Sequence, residues 1–209
     1  MSEIIFQEED HKYFVDGKPK LSVTQIISSV GVKDDSGFYR SLTGSEFIKD
    51  DVASLFGRAF HKYPELYLNY VTPEYSPEME PWVRGWHSWY DTVSDELQTF
   101  DGLIETPMFC KAGDYAMTPD WVAVDKQGRV FVVDWKTSTA WQKHWPIQLA
   151  AYAKGIEENK KKLLHNRKVG AIILRVYENG HECQCLSHEK LVPFYNKFTS
   201  INNVRKMAI

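Results

Sequence analysis

The hydrophobic pattern of the N-terminal residues predicts a β-hairpin followed by a short helix. Ile4–Gln7 and Lys12–Val15 have the composition of short strands, and Asp16-Gly17 is a turn signal. Ser22 then precedes apolar residues at helical spacing, with Gln25 three residues later. This spacing is typical of a capping box, in which each side chain satisfies a backbone N–H of the other residue.

Two longer apolar stripes, with a period near 3.6 residues, predict helices in the rest of the N-terminal half. The first covers about 45–71, with Pro64 as a kink or a restart. The second begins at Pro77 or Pro81 and ends near Leu97. We therefore expect a helical arm after the hairpin.

The pattern then becomes that of alternating strands and helices. The elements predicted in order are strands at Leu103–Cys110, Tyr115–Val124 and Arg129–Trp135, a helix at about Ile147–Leu164, strands at Val169–Tyr177 and Glu182–Leu186, and a helix at about His188–Lys206. This order predicts an α/β or α+β fold with a central mixed β-sheet flanked by helices. We expect one domain over 1–209, with a core at 101–190 and a C-terminal helix at 191–209.

Composition narrows the class of protein. The chain has 209 residues, 43% of them hydrophobic and 25% charged, which is ordinary for a globular domain. Its longest apolar runs are far shorter than the ~20 residues of a membrane helix, and the N-terminus does not resemble a signal peptide. Three cysteines without a C-x-x-C pattern fit a reducing, cytoplasmic location and provide no thiolate metal site.

The distribution of charge is more informative than its sum. The net charge is −3, but residues 1–120 have 10 Lys/Arg against 21 Asp/Glu, whereas 121–209 have 15 against 7. This imbalance suggests a basic face that could meet nucleic acid. Solvated helix surfaces would give the same count.

The segment Asp120…Asp134-x-Lys136 points to chemistry. The short turn between the two predicted strands should pair them as a hairpin, which brings the two carboxylates side by side. Lys136 projects from the same side of its strand as Asp134, because side chains alternate with period two. Carboxylates that bind Mg²⁺, beside a lysine, suit hydrolysis of a phosphodiester. A surface hairpin with a salt bridge is the simpler alternative.

Several neighbouring residues extend this pattern into a longer constellation. Its members in chain order are Gly57-x-x-x-His61, Glu105, Thr118-Pro119-Asp120, Asp134-Trp135-Lys136 and Gln148-x-x-x-Tyr152. Together they resemble the PD-(D/E)xK nuclease superfamily, and in particular its RecB-type exonuclease branch, which includes phage exonucleases and the mitochondrial genome maintenance exonuclease. The segment from Tyr13 to Ile27 also looks like the opening of phage members of that branch.

The resemblance implies a restriction-endonuclease-like core and a role for each residue. Asp120, Asp134 and the backbone carbonyl of Trp135 would bind Mg²⁺, with Mn²⁺ expected to substitute, and Lys136 would be the catalytic lysine. His61 would be a further metal ligand, and Glu105 would help to bind a metal or its waters. The resemblance implies that Gln148 and Tyr152 contact DNA or steady the lysine and the phosphate.

Two positions depart from the family pattern. Met117 stands where many relatives have glycine, and Trp135 is bulkier than the usual residue before the lysine. Several relatives bind an iron–sulfur cluster through four cysteines; this chain has only Cys110, Cys183 and Cys185, so we expect none. We expect Cys183 and Cys185 to be buried small residues of a strand.

Substrate contacts are predicted outside the constellation as well. Arg84 and the run Lys160, Lys161 and Lys162 could contact phosphates. The aromatic residues that could stack on bases, or pack the helix onto the sheet, are Trp82, Trp86, Trp89 and Tyr90.

No base-reading motif is visible, so we expect sequence-independent action on DNA, and the resemblance implies an exonuclease that could prefer single-stranded ends. Three alternatives remain open. They are a structure-specific or restriction-type endonuclease, a catalytically silent nucleic-acid-binding module, and a hydrolase of a non-nucleic substrate.

Overall fold

The computed structural model describes residues 3–7, 12–29, 31–33, 39–41 and 52–207. The strands in these ranges are β1 (Ile4–Gln7), β2 (Lys12–Val15), β3 (Lys18–Lys20), β4 (Gly31–Lys33), β5 (Tyr39–Ser41), β6 (Leu97–Ile104), β7 (Met108–Cys110), β8 (Tyr115–Met117), β9 (Trp121–Asp125), β10 (Val130–Lys136), β11 (Val169–Tyr177) and β12 (Gly180–Leu186). The helices are α1 (Val23–Ser28), α2 (Val52–Leu68), α3 (Glu80–Val93), α4 (Trp145–Asn159), α5 (Lys161–Leu164) and α6 (His188–Met207).

A central mixed sheet of five strands organises the fold, as the sequence predicts. Its order is β12-β11-β10-β9-β6, with β10 and β11 parallel and the other neighbours antiparallel. The N-terminal strands β1, β2 and β3 form a separate antiparallel sheet, which confirms the predicted hairpin. No helix within the described ranges is both long and apolar enough to cross a membrane.

The two faces of β10 contribute to two hydrophobic cores. Val130 and Val132 pack in one core with α1, α4 and α6, whereas Val133 and Trp135 pack in the other with α2 and α3. Because side chains alternate along a strand, Asp134 and Lys136 lie on the α4 face. The sheet therefore directs both charged residues to one side.

The predicted cap of the first helix is present. The Gln25 backbone N–H donates to Ser22 Oγ at 3.1 Å, and the Ser22 N–H donates to Gln25 Oε1 at 2.8 Å. Both bonds of a capping box are made, so the local pattern specifies where α1 begins.

The boundaries of three predicted elements are wrong. Helix α3 ends at Val93, and Leu97 begins the edge strand β6. The predicted strand Leu103–Cys110 is divided between β6 and β7, with a residue in the left-handed conformation, Glu105, in between. The predicted strand Tyr115–Val124 is likewise divided into β8 and β9, with Asp120 just before β9. Each division occurs where the chain turns to approach the charged cluster described below.

The helices follow the prediction more closely. Pro64 lies inside α2, which continues to Leu68, and residues 45–51 of that predicted helix lie outside the described residues. The predicted helix Ile147–Leu164 is two helices, α4 and α5, that meet at Lys160. The final helix is α6, within one residue of the predicted bounds.

The prediction that Cys183 and Cys185 are buried is wrong. Both are exposed, because β12 is an edge strand of the central sheet, whereas Cys110 is buried. All three thiols are free.

We expect Gly85→Ala to destabilise the fold, because Gly85 is where α3 touches the turn between β11 and β12. An added Cβ would lie 2.5 Å from the Gly180 carbonyl oxygen and 2.6 Å from that of Tyr177. Both obstacles are backbone atoms, so the helix must move, and overpacking of this kind costs about 1–3 kcal/mol. Urea unfolding measures the loss.

Asp91→Ala, at an exposed position of the same helix, is the matched control for the alanine itself. An unfolding free energy of Gly85→Ala equal to that of the control would contradict the close contact.

Candidate metal centre

The hairpin of β9 and β10 brings Asp120 and Asp134 together at the end of the two strands. Val133 pairs with Trp121 in the antiparallel register, so Asp134 is the next residue along and faces Asp120. The Trp135 backbone N–H donates to Asp120 Oδ2 at 2.9 Å. Both carboxylates are buried, with 5% of Asp120 and 1% of Asp134 exposed. Burial of two carboxylates is costly unless each has a charged or hydrogen-bonding partner.

Asp120 finds its partners on two other elements. His61, on α2, places Nδ1 3.5 Å from Asp120 Oδ1, and Glu105, just after β6, places Oε1 3.6 Å from the same nitrogen. One ligating atom from each of the three residues lies within 4.8 Å of the others. These residues, which we call the three-residue cluster, could hold a metal ion.

The backbone of Glu105 is strained in a way that serves this cluster. Its φ is +43°, the left-handed region that non-glycine residues seldom adopt. Its N–H donates to the Asp120 carbonyl oxygen at 3.0 Å, which ties the end of β6 to the start of β9. A strained residue of this kind costs of order 1 kcal/mol and is typical of functional sites.

The carboxylates of the cluster favour a positive charge at the position of the His61 imidazole. Burial lowers the pKa of His61, but the carboxylates of Asp120 and Glu105 outweigh burial and raise it to about 10. Burial, reinforced by the Asp120 charge, raises the pKa of Glu105 to about 7. The metal-free cluster therefore contains a protonated imidazole in the position where a divalent cation would supply the positive charge instead.

Asp134 is paired with the lysine. Lys136 Nζ lies 2.6 Å from the buried Asp134 Oδ2, so a close ion pair compensates this oxygen. Burial raises the pKa of Asp134 to about 6 against the opposing effect of Lys136. Burial lowers the pKa of Lys136, but Asp134 and Asp120 outweigh it and hold the pKa above its ordinary value.

The predicted ligands are therefore not all equivalent. His61, Glu105 and Asp120 form the three-residue cluster, and Asp134 lies outside it. The structure places the Trp135 N–H on Asp120, and the role of the Trp135 carbonyl as a ligand stays a prediction.

The residues fit a hard divalent cation. Mg²⁺ is held in proteins by one or two carboxylates and keeps several waters. The cluster offers two carboxylates and an imidazole, and the side chains of His61 and Glu105 are 29% and 22% exposed, which leaves room for water on one side. Asp134 Oδ2 is paired with Lys136, so the role of Asp134 as a metal ligand stays a prediction.

Gln148 and Tyr152 join the centre from α4, as their spacing predicts. Gln148 Nε2 donates to Asp134 Oδ1 at 3.3 Å and to the Tyr152 hydroxyl oxygen at 3.0 Å. Both side chains are buried, so in this arrangement they orient the Asp134 carboxylate. Their predicted contact with DNA is not tested by these bonds.

One residue that sequence reasoning did not assign to the site is Tyr13 on β2. Its hydroxyl and Thr118 Oγ1 are 2.8 Å apart, which links the N-terminal sheet to the segment leading to Asp120. Burial raises the pKa of Tyr13 to about 12, and the charge of Glu105 adds to this. The sequence showed only a buried position on a strand, because the contact depends on how two distant segments pack.

The structure does not bring the predicted phosphate-binding residues to the centre. Arg84, 60% exposed on α3, lies 3.9 Å from Glu80, and Lys160 pairs with Asp101 at 2.8 Å. Lys160 is 12 residues beyond Gln148, so the start of the lysine run lies ~18 Å along the helix axis from the centre. Lys161 and Lys162 follow in α5.

The aromatic residues of α3 mostly pack the helix onto the sheet. Trp86 and Trp89 are buried, and Trp86 stacks on Tyr90 at 4.7 Å and meets the edge of Trp135 at 6.5 Å. Trp82 packs against Phe56. The packing alternative is thus confirmed for Trp86 and Trp89.

Comparison with known proteins does not identify the chain. No family model matches it, and no curated protein is significantly similar in sequence.

We expect Mg²⁺ or Mn²⁺ to stabilise the protein through the three-residue cluster. An ion at 100 times its dissociation constant adds about 2.7 kcal/mol of stability, which for a chain of this size raises the Tm by about 5–10 °C. Asp120→Asn and His61→Ala should each lose most of this rise. Differential scanning calorimetry with and without EDTA measures it.

Asp101→Asn, on β6 four residues before Glu105, is the matched control and should keep the full rise. An equal rise in wild type and both cluster variants would place the ion elsewhere.

Proposed function

We propose that this protein is a Mg²⁺-dependent deoxyribonuclease that hydrolyses phosphodiester bonds, with Mn²⁺ able to replace Mg²⁺. The observation that supports the proposal most is the convergence of five charged or ligating side chains from four elements on one end of the β9–β10 hairpin. These residues are His61, Glu105, Asp120, Asp134 and Lys136. The three carboxylates outnumber the lysine and the imidazole, so the net charge of the group is negative and a bound cation would offset it.

The chain's own residues suggest how they would share the work. His61, Glu105 and Asp120 would hold the cation, which when bound polarises a phosphoryl oxygen and lowers the pKa of a bound water. Gln148 holds the Asp134 carboxylate in one orientation through Oδ1. The Lys136 ammonium, fixed 2.6 Å from Asp134 Oδ2, places a positive charge where negative charge develops on the phosphate.

The surroundings of Lys136 favour a role as a fixed positive charge over a role as a general base. Its pairing with Asp134 favours the protonated form, and only 18% of its side chain is exposed. A fixed ammonium in a water-poor site stabilises a developing anion more strongly than the same group in water. The lysine therefore orients and stabilises, and a water activated by the bound cation would be the nucleophile that attacks the phosphorus.

Three observations support DNA as the substrate. The motif constellation resembles the PD-(D/E)xK superfamily, the fold has the central mixed sheet that this resemblance implies, and residues 121–209 are basic. The resemblance further favours sequence-independent, exonucleolytic cleavage. We also propose a cytoplasmic location, to which the three free thiols are suited.

We expect the purified protein to degrade linear DNA with Mg²⁺ or Mn²⁺ and to be inactive in EDTA. Asp134→Asn and Lys136→Ala should each lower kcat by at least about 100-fold, because the first loses the partner that fixes the Lys136 ammonium and the second loses the ammonium itself. Lys197→Ala, on α6, is the matched control and should retain full activity. Hydrolysis of end-labelled single- and double-stranded DNA, resolved on a sequencing gel, measures the rates.

Circular DNA separates the modes of cleavage. Survival of circles while linear DNA is reduced to short products supports an exonuclease, and cut circles indicate an endonuclease. Folded protein that binds DNA but cleaves no substrate with any of the metals would overturn the enzymatic proposal in favour of a binding module.

A further inference from the structure

A row of charged residues crosses the sheet outward from the lysine. Lys136 is in register with Arg175 on β11, and Arg175 is in register with Glu182 on β12. Residues in register on neighbouring strands point to the same face, so this row lies on the α4 side with Asp134. Adjacent strands are ~4.8 Å apart, which puts Glu182 roughly 10 Å from Lys136.

Arg175 fixes the loop that follows Lys136. Its guanidinium forms a bidentate pair with Glu182, with Nε 3.1 Å from Oε2 and Nη2 3.0 Å from Oε1. Its Nη1 donates to the carbonyl oxygens of Thr139 at 3.0 Å and Ser138 at 3.4 Å. Only 12% of the Arg175 side chain is exposed. A loop beside the centre is thus held by several charge-assisted bonds.

This loop presents Trp141. The Trp141 indole N–H donates to Glu182, and the ring packs against the buried Trp145 with centroids 5.3 Å apart and planes at 61°. The side chain nevertheless remains 40% exposed. Glu182, the last residue of the row that starts at Lys136, therefore holds one edge of the indole, while part of the ring surface faces solvent. An exposed aromatic group that is already held in place loses little entropy when a ligand stacks on it.

We propose that Trp141 is a stacking site for an unpaired nucleobase of the DNA strand whose phosphate lies at Lys136. This inference rests on the proposed nuclease function, whose substrate it specifies as a strand with unpaired bases near the cleaved bond. The ~10 Å between Glu182 and Lys136 corresponds to about three stacked nucleotides at ~3.4 Å each. Base stacking on an aromatic side chain is tolerant of sequence, which agrees with the lack of a base-reading motif.

The local charge favours nucleic acid over a protein segment as the occupant. Arg175 neutralises Glu182, the carboxylate to which the Trp141 indole donates. Lys143, two residues further on, is exposed, and the first turn of α4, which begins at Trp145, contains no acidic residue. The positive end of this 15-residue helix and the Lys143 ammonium therefore follow Trp141 closely in the chain.

The test measures binding of fluorescent 15-nucleotide thymidine strands by anisotropy in EDTA, where the proposed nuclease does not cleave. We expect Trp141→Ala to weaken binding about 5- to 150-fold, the range reported for loss of one stacked base. Binding to a blunt duplex should change less than about twofold. Tyr70→Ala, at a residue that is 99% exposed outside this loop, is the matched control and should bind like wild type.

Two further measurements isolate stacking from loss of structure. A 15-unit strand of abasic sugars has no base to stack, so wild type and Trp141→Ala should bind it equally. Trp141→Phe keeps a ring but loses the N–H bond to Glu182, and should retain most of the affinity. Circular dichroism confirms that each variant is folded.

Several outcomes would overturn the inference. They are an unchanged affinity of Trp141→Ala, an equal loss on the abasic strand or the duplex, and a Trp141→Phe variant as weak as the alanine variant. The proposed function is judged separately, since stacking without cleavage would overturn hydrolysis alone, and cleavage with no effect at Trp141 would overturn stacking alone.

Discussion

The burial of two carboxylates at the β9–β10 pairing is the constraint on which the other features of the site depend. Asp120 and Asp134 face each other at the open end of a hairpin whose paired residues, from Val130 and Val124 to Val133 and Trp121, are apolar. Two like charges removed from water must each gain compensating partners. Asp120 gains the Trp135 N–H and His61, and Asp134 gains Lys136 and Gln148. Besides hydrophobic contact, His61 thus ties α2 to the hairpin by charge, and Gln148 ties α4 to it by a hydrogen bond.

The compensation is incomplete, and its remaining costs lie where a ligand would act. Burial keeps the pKa of Asp134 raised in spite of Lys136, and Glu105 is kept in a left-handed conformation. A strained residue of this kind costs of order 1 kcal/mol. The packing around the site must be favourable enough to hold the buried carboxylate and the strained Glu105 backbone in place. Trp135, which is buried between α2 and α3, helps by contacting the His61 ring.

The hydrophobic pattern was sufficient to predict those elements in which the strand or helix period of the apolar residues is uninterrupted. Strand β11 has the predicted bounds, and the hairpin that aligns Asp120 with Asp134 follows from the short turn between two apolar runs. The Ser22 cap is equally local. The errors arise where tertiary contacts override the local signal. Leu97 continues a helical pattern but is buried as the first residue of the edge strand β6, because β9 offers a partner for pairing.

The site shows the same division. The proximity of Asp120, Asp134 and Lys136 could be inferred from alternation on paired strands, and that of Gln148 and Tyr152 from helical spacing. The contact of Tyr13 with Thr118 joins residues 105 positions apart, and no spacing rule reaches that far. The sequence shows that the run Lys160, Lys161 and Lys162 follows the site helix but not how far the helix carries it from the centre, and its contact with phosphate stays a prediction.

The geometry of the sheet also relates the proposed catalytic centre to the proposed stacking site. Asp134 and Lys136 are two residues apart on β10, so they occupy successive same-face rungs of one ladder. The rung of Asp134 faces Asp120 and the three-residue cluster, while the rung of Lys136 leads through Arg175 and Glu182 to the loop of Trp141. The strand spacing sets the distance between Lys136 and Glu182, which accepts the hydrogen bond of the exposed Trp141 indole. Arg175 binds both Glu182 and the loop that carries Trp141, so these contacts hold the proposed stacking site at a set distance from Lys136.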